Sequence, residues 1–274
     1  MKRLMNRQLG RGGTVFWGLV PFLILIIVYL FASEARLALN PKDKLLPSMA
    51  SFGEAIYRLA FEPSQRSGEI LLWADTLSSL KRLGLGVGIS AATGLLFGVT
   101  TGILPYVRAN LLPSITVLSM VPPMAVLPIL FIVFGLGEVS KVVLIVFGIA
   151  PFITRDIQQR VAELPLEQLI KAQTLGATTW QVILRVVLPQ ILPRLLDAVR
   201  LSLGAAWLFL IAAEAVAATD GLGYRIFLVR RYLAMDTILP YVAWITLLAT
   251  FFDFSLRRIN RFAFPWFQNG DSPS

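Results

Sequence analysis

Few side chains of this sequence are suited to acid–base, nucleophilic or metal chemistry. Its 274 residues contain no histidine and no cysteine, so the usual general base, the commonest metal ligand and any thiolate are missing. Glu214, in LIAAEAVAATDGLG, is the only acid well inside an apolar segment, where an ionisable group is costly and marks a functional or tightly paired site. We expect Glu214 either to face a transport pathway or to pair with Lys141 or Arg225, which its place near the outer end of the segment favours.

Proline residues interrupt another apolar segment, LLPSITVLSMVPPMAVLPILFIVFG, at positions 113, 122, 123 and 128. Each ring removes a backbone donor and disturbs the preceding helical turn, and broken helices persist at membrane depth only where protein or a water-filled cavity satisfies the freed carbonyls. Transport pathways are often built from such helices. One prediction is that Ser119, Met120, Pro122 and Pro123 line a translocation path or gate; the alternative is a kinked helix with a purely structural role.

The longest polar interruption between apolar segments includes residues 170–193, IKAQTLGATTWQVILRVVLPQILP. Pro165 suits the first position of a helix, Gly176 can end that helix in the left-handed conformation, and Thr178 with Gln181 fits a capping box for a second helix. The apolar stripe of this second helix is expected to lie against the bundle: Trp180, Ile183, Leu184 and Val187. Pro189 and Pro193 are then expected to stop the helix.

This pattern predicts an exposed, polar first helix, a sharp glycine turn and a second helix that backs onto the membrane-embedded part. Such a hairpin is suited to contact with a cytoplasmic partner. The alternative is an interfacial hairpin without a partner, which composition alone leaves open.

Positioning these groups requires a bundle of membrane-spanning helices. Hydrophobic residues make up 56% and charged residues 15% of the chain, and the mean hydropathy is +0.72, whereas a soluble domain has about 25% charged residues. Because a segment of roughly 20 apolar residues can cross a bilayer, six spans are predicted: residues 14–33, 83–104, 111–134, 139–154, 198–217 and 238–256. We therefore expect an all-α membrane protein.

Lysine and arginine residues set the expected orientation, because cytoplasmic loops carry an excess of them. The acid-free start, MKRLMNRQLGR, favours a cytoplasmic N-terminus, and the even number of spans then places the C-terminus on the same side. The net charge of +9 follows from this bias rather than from nucleic-acid binding. The expected divisions are a cytoplasmic N-terminus (1–13), the first span (14–33), an external, partly helical loop (34–72), a core with five spans (73–262) and a C-terminal tail (263–274).

Small residues recur at every fourth position of the second span, at Ser90, Gly94, Gly98 and Gly102. In lipid such a ridge lets two helix backbones approach closely. The ridge predicts helix packing within the chain, with an interface to a second copy as the alternative.

The polar stretch resembles the cytoplasmic signature loop of ABC importer permeases, whose pattern is E-A-A, three residues, Gly, nine residues and I-x-L-P. Gly176 is followed at that distance by Val186, Leu188 and Pro189, while only Ala172 matches the E-A-A part. Residues 72–262 resemble the branch that serves nitrate, sulfonate, taurine and bicarbonate importers. Three blocks carry this resemblance: TLSSLKRLGLGVGIS, VPPMAVLPILFIVFGLGEVSK and RLSLGAAWLFLIAAEAVAATDGLGYRIF.

The resemblance implies a type I ABC importer permease of the bacterial inner membrane, with its coupling hairpin between spans four and five (residues 155–197). It implies two copies of an ATPase subunit, a periplasmic or lipoprotein substrate-binding protein, and a second permease copy in a homodimer. The residues implied to couple to the ATPase are Lys171, Ala172, Thr174, Leu175, Gly176, Ala177 and Thr178. The sequence has no G-x-x-x-x-G-K-S/T loop, so the chain is expected to bind no cofactor and to leave ATP and Mg²⁺ to the ATPase.

The main alternative is an ion-coupled secondary transporter or channel that uses Glu214, and with it Asp220 or Asp253, without an ATPase. An intramembrane enzyme fits less well, since no Ser/Lys or paired-Asp arrangement is evident inside the spans. The substrate stays open: the branch transports small polar anions, whereas the permeases associated with urea or guanidine carboxylase, which the chain also resembles, point to a small nitrogen compound.

Overall fold

All regular secondary structure is helical in the part of the chain that the computed structural model describes, residues 10–40, 44–65 and 68–268. The helices are α1 (Arg11–Leu39), α2 (Met49–Phe61), α3 (Leu71–Ile103), α4 (Pro105–Met120), α5 (Pro123–Phe134), α6 (Glu138–Ala162), α7 (Leu166–Thr174), α8 (Thr179–Val182), α9 (Leu188–Ala217), α10 (Leu222–Arg230), α11 (Met235–Ala263) and α12 (Pro265–Gln268). A π-helical segment, Ile183–Val187, joins α8 to α9.

The core forms around α6, which lies between α3 and α9. The predicted ridge on α3 faces α6: a Cβ atom added to Gly94 would lie 2.5 Å from Ile153 Cγ2, and one added to Gly98 would lie 2.6 Å from Ile157 Cβ. Gly102 meets Val161 in the same way. Packing within the chain is thereby confirmed for this ridge, because no larger residue fits between the two backbones.

The contacts between α3 and α6 also fix the direction of the chain. Residues further along α3 meet residues further along α6, from Gly86 with Ile145 to Gly102 with Val161, so the two helices run parallel. The intervening α4 and α5 must therefore bring the chain back across the bundle. They do so as a broken element, since the two helices are bent by 99° at Val121–Pro122.

Four single helices of the described chain are long and apolar enough to span a membrane, and the bent α4–α5 pair makes a fifth candidate. They contain the predicted spans 14–33, 83–104, 111–134, 198–217 and 238–256, although α3 begins earlier, at Leu71. The remaining predicted span, 139–154, lies inside α6, whose 25 residues cover about 37 Å at 1.5 Å per residue. Helix α6 is not in the group of candidate spans; it carries charged residues at both ends, Glu138 and Lys141 at one and Arg155 and Asp156 at the other.

The second helix of the polar stretch does not stop at its prolines, contrary to the prediction. Residues Thr179–Ala217 form one continuous helical run of 39 residues. Pro189 falls in the first turn of α9, directly after the π segment, and Pro193 lies inside α9. A proline needs no backbone donor in a first turn, and the wider π turn before it, closed by the Leu188 N–H on the Ile183 carbonyl, lets the chain continue.

The segment 34–72, predicted to be an external loop, is partly helical through α2, as that prediction expects. Its start is tied to α1, since the Tyr29 hydroxyl donates to the Pro47 carbonyl at 2.7 Å and the Ser33 hydroxyl donates to the carbonyl of Leu46 at 3.0 Å. No residue in the apolar window of α1 is buried in the described chain. The N-terminal lysine and arginine residues at positions 2, 3 and 7, and the end of the tail from 269, lie outside the described residues.

Candidate functional site

The polar hairpin has the helix end and the glycine turn that its sequence predicts. Helix α7 ends at Thr174, and Gly176 adopts a left-handed conformation with φ of 83°. The Gly176 N–H donates to the Gln173 carbonyl at 2.9 Å, and the Ala177 N–H donates to the Ala172 carbonyl at 3.0 Å. These two bonds form a Schellman motif, in which a glycine satisfies the free carbonyls of a helix end.

A second helix starts immediately after this turn. The Thr178 hydroxyl accepts from the Gln181 N–H at 3.3 Å, and the Gln181 side chain accepts from the Thr178 N–H at 2.9 Å. This reciprocal pair is the predicted capping box. One helix ends at Thr174 and the next is capped at Thr178, only four residues later. The turn between them therefore has little conformational freedom.

Most of the expected coupling residues lie on the surface. No residue of α7 is buried, and Lys171, Thr174, Leu175, Gly176 and Thr178 are exposed, whereas Ala172 and Ala177 are half-buried and pack on the core. The apolar stripe is divided: Ile183 and Val187 are buried as predicted, but Leu184 is exposed and the Trp180 side chain is 66% exposed. Trp180 and Leu175 therefore form an apolar, exposed tip. The prediction that Trp180 lies against the bundle is wrong.

The break between α4 and α5 opens a polar cleft of about 390 Å³ against α6 and α9. Its polar lining comes from the C-terminal end of α4 and the inner half of α6: Ser119, Arg155, Asp156, Gln158 and Gln159. The Arg155 guanidinium donates to the Ser119 hydroxyl at 2.8 Å, so one hydrogen bond spans the cleft between the two helices.

The structure brings two of the five expected pathway residues to this cleft, Ser119 and Pro123. Met120 and Pro122 belong to the same break but do not line the cleft, and the Met120 side chain is 70% exposed. Glu214, the fifth, is fully buried elsewhere. Arg155 and Gln158 were not predicted; the signal that could have found them is a run of polar residues, TRDIQQR, that continues an apolar helix without a break.

A larger groove of about 510 Å³ lies between α3, α4 and α6. Apart from Thr93 and Thr154, its lining is apolar. Because a charged or strongly polar solute would lose its hydration there without compensation, the smaller polar cleft is the better candidate for contact with a polar solute.

Glu214 lies in a buried polar cluster at the other end of the bundle, with an exposed fraction of 0%. Its carboxylate accepts from the Arg82 guanidinium at 2.8 Å, from the Ser79 hydroxyl at 2.8 and 3.0 Å, and from the Gly223 N–H at 2.8 Å. An ion pair is thus present, but not with the expected partners: Lys141 pairs with Glu138 at 2.7 Å, and Arg225 pairs with Asp75 at 2.8 Å.

Arg82 of α3 is the centre of this cluster. Its guanidinium has five N–H donors, and five hydrogen bonds are formed, to the side chains of Glu138, Glu214 and Asp220 and to the Asp220 carbonyl. These partners belong to α6, to α9 and to the connection between α9 and α10. One side chain therefore ties three elements together at the end of the bundle opposite the hairpin.

Asp75, about two helical turns before Arg82, forms a second buried centre. Its carboxylate accepts from the Arg225 guanidinium, from the Tyr241 hydroxyl at 2.9 Å and from the Gly221 N–H at 3.0 Å. Gly221 has a φ of 113°, and a Cβ atom there would lie 2.6 Å from Glu214 Oε1. A glycine is needed at this position both for its backbone and for space. Gly223 lies inside α10.

The acids proposed for ion coupling are all paired with arginine. Asp253 contacts Arg257 at 2.9 Å and Arg200 at 3.4 Å, Glu214 contacts Arg82, and so does Asp220. Burial acts to raise the pKa of Asp220, but hydrogen bonds from Ser78 and Arg82 outweigh it and hold that pKa below its usual value. Asp220 therefore stays ionised at neutral pH, which does not suit a group that must take up and release a proton. The described residues contain no group of acids that could hold a metal ion.

Comparison with known proteins adds three findings. Residues 84–267 match the family model described as binding-protein-dependent transport system inner membrane component. The taurine transport system permease protein TauC of Escherichia coli (strain K12) is 36% identical over 195 residues, which cover 71% of each chain. The putative aliphatic sulfonates transport permease protein SsuC of Bacillus subtilis (strain 168) is 30% identical over 208 residues, covering 76% of this chain and 75% of that protein.

Solved structures show the same fold. A chain of the MetNI methionine ABC transporter, in an inward-facing conformation, superposes with a TM-score of 0.56 and 22% sequence identity over 69% of this chain and 96% of its own. The likeness confirms the expected fold class, the all-helical bundle of a type I importer permease.

Proposed function

The chain belongs to the family of binding-protein-dependent transport system inner membrane components and is the permease subunit of an ABC importer, and we propose on this premise that its polar hairpin is the site where a separate ATPase drives transport. The supporting observation is the geometry of the turn: a closed Schellman motif at Gly176, a capping box at Thr178, and exposed Leu175 and Trp180 beside them. A rigid, exposed tip with an apolar face is suited to docking in a pocket of a partner.

The hairpin is also connected to the membrane-embedded part in a way that supports this role. Its second helix continues without a break to Ala217, so a displacement of the tip moves the fifth span rather than a flexible linker. Ala172 and Ala177 pack on the core beneath the tip. We assign coupling to the tip residues: Lys171, Ala172, Thr174, Leu175, Gly176, Ala177 and Thr178.

The proposed assembly has two such permease chains, two ATPase subunits on the cytoplasmic side and a substrate-binding protein outside. The parallel arrangement of α3 and α6 makes the spans alternate in direction, which supports both termini being cytoplasmic if the N-terminal lysine and arginine residues are. The sequence has no phosphate-binding loop of its own, so ATP and Mg²⁺ are proposed to bind the ATPase.

The proposed path passes the break between α4 and α5, with Ser119, Met120, Pro122 and Pro123 at its side. Solute would move by alternating access as the ATPase opens and closes. We assign Glu214 to a structural tie instead of the path, because its oxygens are fully occupied by Arg82, Ser79 and Gly223. The cargo is a small polar solute, either of the taurine and sulfonate type that the relatives' names give or a urea- or guanidine-type compound.

An ion-coupled secondary transporter is the second candidate function. It would use Glu214, Asp220 or Asp253, and pairing of all three with arginine disfavours it. Uptake that continues after ATP depletion, with ion gradients maintained, would favour this candidate over ATP-driven import.

The test is co-purification of the tagged chain from its native membrane in mild detergent. A soluble protein with a phosphate-binding loop is expected in stoichiometric amount, and Gly176→Val should release it, because a β-branched side chain is strained at positive φ. The matched control is Gly135→Val: Gly135 also has a positive φ, 75°, and open space around it, but lies between α5 and α6 at the opposite end.

The two glycine variants separate docking from general destabilisation. Loss of the ATPase with Gly176→Val alone supports the proposed coupling site. Loss of the ATPase with both variants would mean that the substitutions only destabilise the protein. Retention of the ATPase with both variants, at normal ATP-driven uptake, would overturn the proposal.

A further inference from the structure

We propose that the cleft beside the break in the third span is a binding site for a small oxyanion, a nitrate- or sulfonate-type group, held by Arg155 and Gln158 beside Ser119, whose hydroxyl already donates to the Thr116 carbonyl at 2.7 Å. The inference rests on the proposed transport function and narrows its substrate class. It is carried by the hydrogen-bonding state of these three side chains.

Arg155 is a cation without a carboxylate partner among the described residues. Its guanidinium donates to the Ser119 hydroxyl at 2.8 Å, whereas Arg160, five residues further along α6, pairs with Glu163 at 3.3 Å and with Asp156 at 3.7 Å. Arg155 directly follows the predicted span 139–154 and is exposed to the cleft, so its charge is available to a solute there. A guanidinium offers planar, paired N–H donors that match the geometry of an oxyanion.

Gln158 provides a second free donor. Its side chain is only 8% exposed and lines the cleft, and its amide forms no hydrogen bond within the described part of the chain. The amide is not enclosed by protein but opens into the cleft, where it can donate to an acceptor that enters.

The charge balance of the cleft favours an anion. Asp156 is its only carboxylate, and the nearby Arg160 offsets that charge, so Arg155 remains as the unbalanced group. A guanidinium-type cation would meet repulsion from Arg155, and neutral urea would gain less from the charge than an anion does. The volume of about 390 Å³ is ample for a solute of nitrate or sulfonate size.

The same oxyanion chemistry is available from two sources, a soluble anion and the headgroup of an anionic lipid. The proposal is for the soluble anion, because the donors line a cleft between α4, α6 and α9. Membrane composition distinguishes the two sources in the experiment.

The absence of cysteine allows a single reporter thiol to be introduced. Phe152→Cys is suitable, since Phe152 is exposed, lines the cleft and carries no polar contact of the site. The full chain is incorporated into phosphatidylcholine nanodiscs and labelled with an anionic (sulfonatoethyl) or a cationic (trimethylammonium-ethyl) methanethiosulfonate. Arg155→Gln should lower the ratio of anionic to cationic labelling rates by about tenfold, in the range of local electrostatic effects on rates. Arg160→Gln, which removes a charge that already has partners, should leave the ratio unchanged.

Protection experiments then identify the ligand class. Methanesulfonate and nitrate should slow labelling of the reporter by an uncharged methanethiosulfonate, and urea and guanidinium should not. The protection should be lost with Arg155→Gln and reduced with Gln158→Leu, which keeps the size of the side chain but removes its amide.

Three results would overturn the inference. Protection by urea or guanidinium but not by the anions would show that the cleft binds the urea- or guanidine-type class instead. No protection by any solute would remove the site. Slow labelling that appears only when phosphatidylglycerol is added, without an effect of soluble anions, would assign Arg155 to a lipid headgroup. Retention of the ATPase on the chain is measured separately, so failure of the anion site leaves the coupling proposal standing, and the reverse holds as well.

Discussion

Arg82 of α3 and Glu214 of α9 form an ion pair of 2.8 Å that is almost fully removed from solvent, with exposed side-chain fractions of 4% and 0%. The two residues are 132 positions apart in the chain. Their pairing joins the helix that carries the glycine ridge to the helix that continues from the hairpin. It gives the bundle a fixed end, away from the cleft and the coupling tip.

Loss of Arg82 should therefore destabilise the protein strongly. Arg82→Gln leaves Glu214 buried without its cation, which costs about 3–5 kcal/mol for a buried pair. Thermal unfolding of the purified protein in detergent, followed by fluorescence, measures the effect. The double variant with Glu214→Gln should be more stable than Arg82→Gln alone, because two neutral amides replace one unpaired charge; a double variant that unfolds earlier would contradict the pairing.

Packing of the glycine ridge predicts opposite effects at two glycines of the same helix. Gly98→Ala should lower the melting temperature, because the new Cβ would lie 2.6 Å from Ile157 side-chain atoms and overpacking costs about 1–3 kcal/mol. Gly88→Ala should be neutral or stabilising, since nothing lies within 4 Å of the added atom and alanine favours a helix by roughly 0.5–1 kcal/mol. A Gly98→Ala protein that melts normally but loses its oligomeric state in size-exclusion chromatography would instead point to an interface between copies.

The capping box at the hairpin predicts a local defect with normal folding. Thr178→Ala removes the side-chain acceptor for the Gln181 N–H, at a cost of about 1 kcal/mol to the start of the second helix. Amide hydrogen exchange should become faster over residues 179–183, and ATP-driven uptake should fall at an unchanged permease level. Thr178→Ser keeps the acceptor and should restore both; equal exchange rates in the alanine and serine variants would refute the role of the cap.

Exposed Trp180 predicts a loss of affinity without a loss of stability. Trp180→Ala should weaken ATPase binding by about tenfold or more, as expected for an aromatic hot spot worth roughly 2 kcal/mol. The melting temperature should stay unchanged, because the side chain is already largely exposed. Leu136→Ala, at an exposed apolar position of the opposite end, is the control; an equal loss of binding in both variants would remove Trp180 from the interface.

The sequence predicts the features that depend on local order. Gly176, Thr178 and Gln181 specify the turn and the cap through their own backbone requirements, and the paired prolines at 122 and 123 specify the break between α4 and α5. The partner of Glu214 could not be predicted, because several basic residues lie near the outer ends of the spans and only the tertiary packing selects Arg82.

The continuation of the hairpin helix through Pro189 was also beyond local rules. A proline normally ends a helix, and the π segment that admits it has no distinct composition, being ILRVV. The free amide of Gln158 is likewise invisible in sequence, since a glutamine in a polar run is usually solvated.

The π segment Ile183–Val187 has a geometric consequence for the hairpin. A π turn holds one residue more than the same turn of α-helix, so removal of one residue from this segment can leave a continuous α-helix. Each residue turns an α-helix by about 100°. The number of residues between Trp180 and the start of α9 therefore sets the direction in which Trp180 points around the axis of α9. The single extra residue of the π turn, directly before α9, therefore sets the side of the hairpin on which the proposed docking residue Trp180 lies.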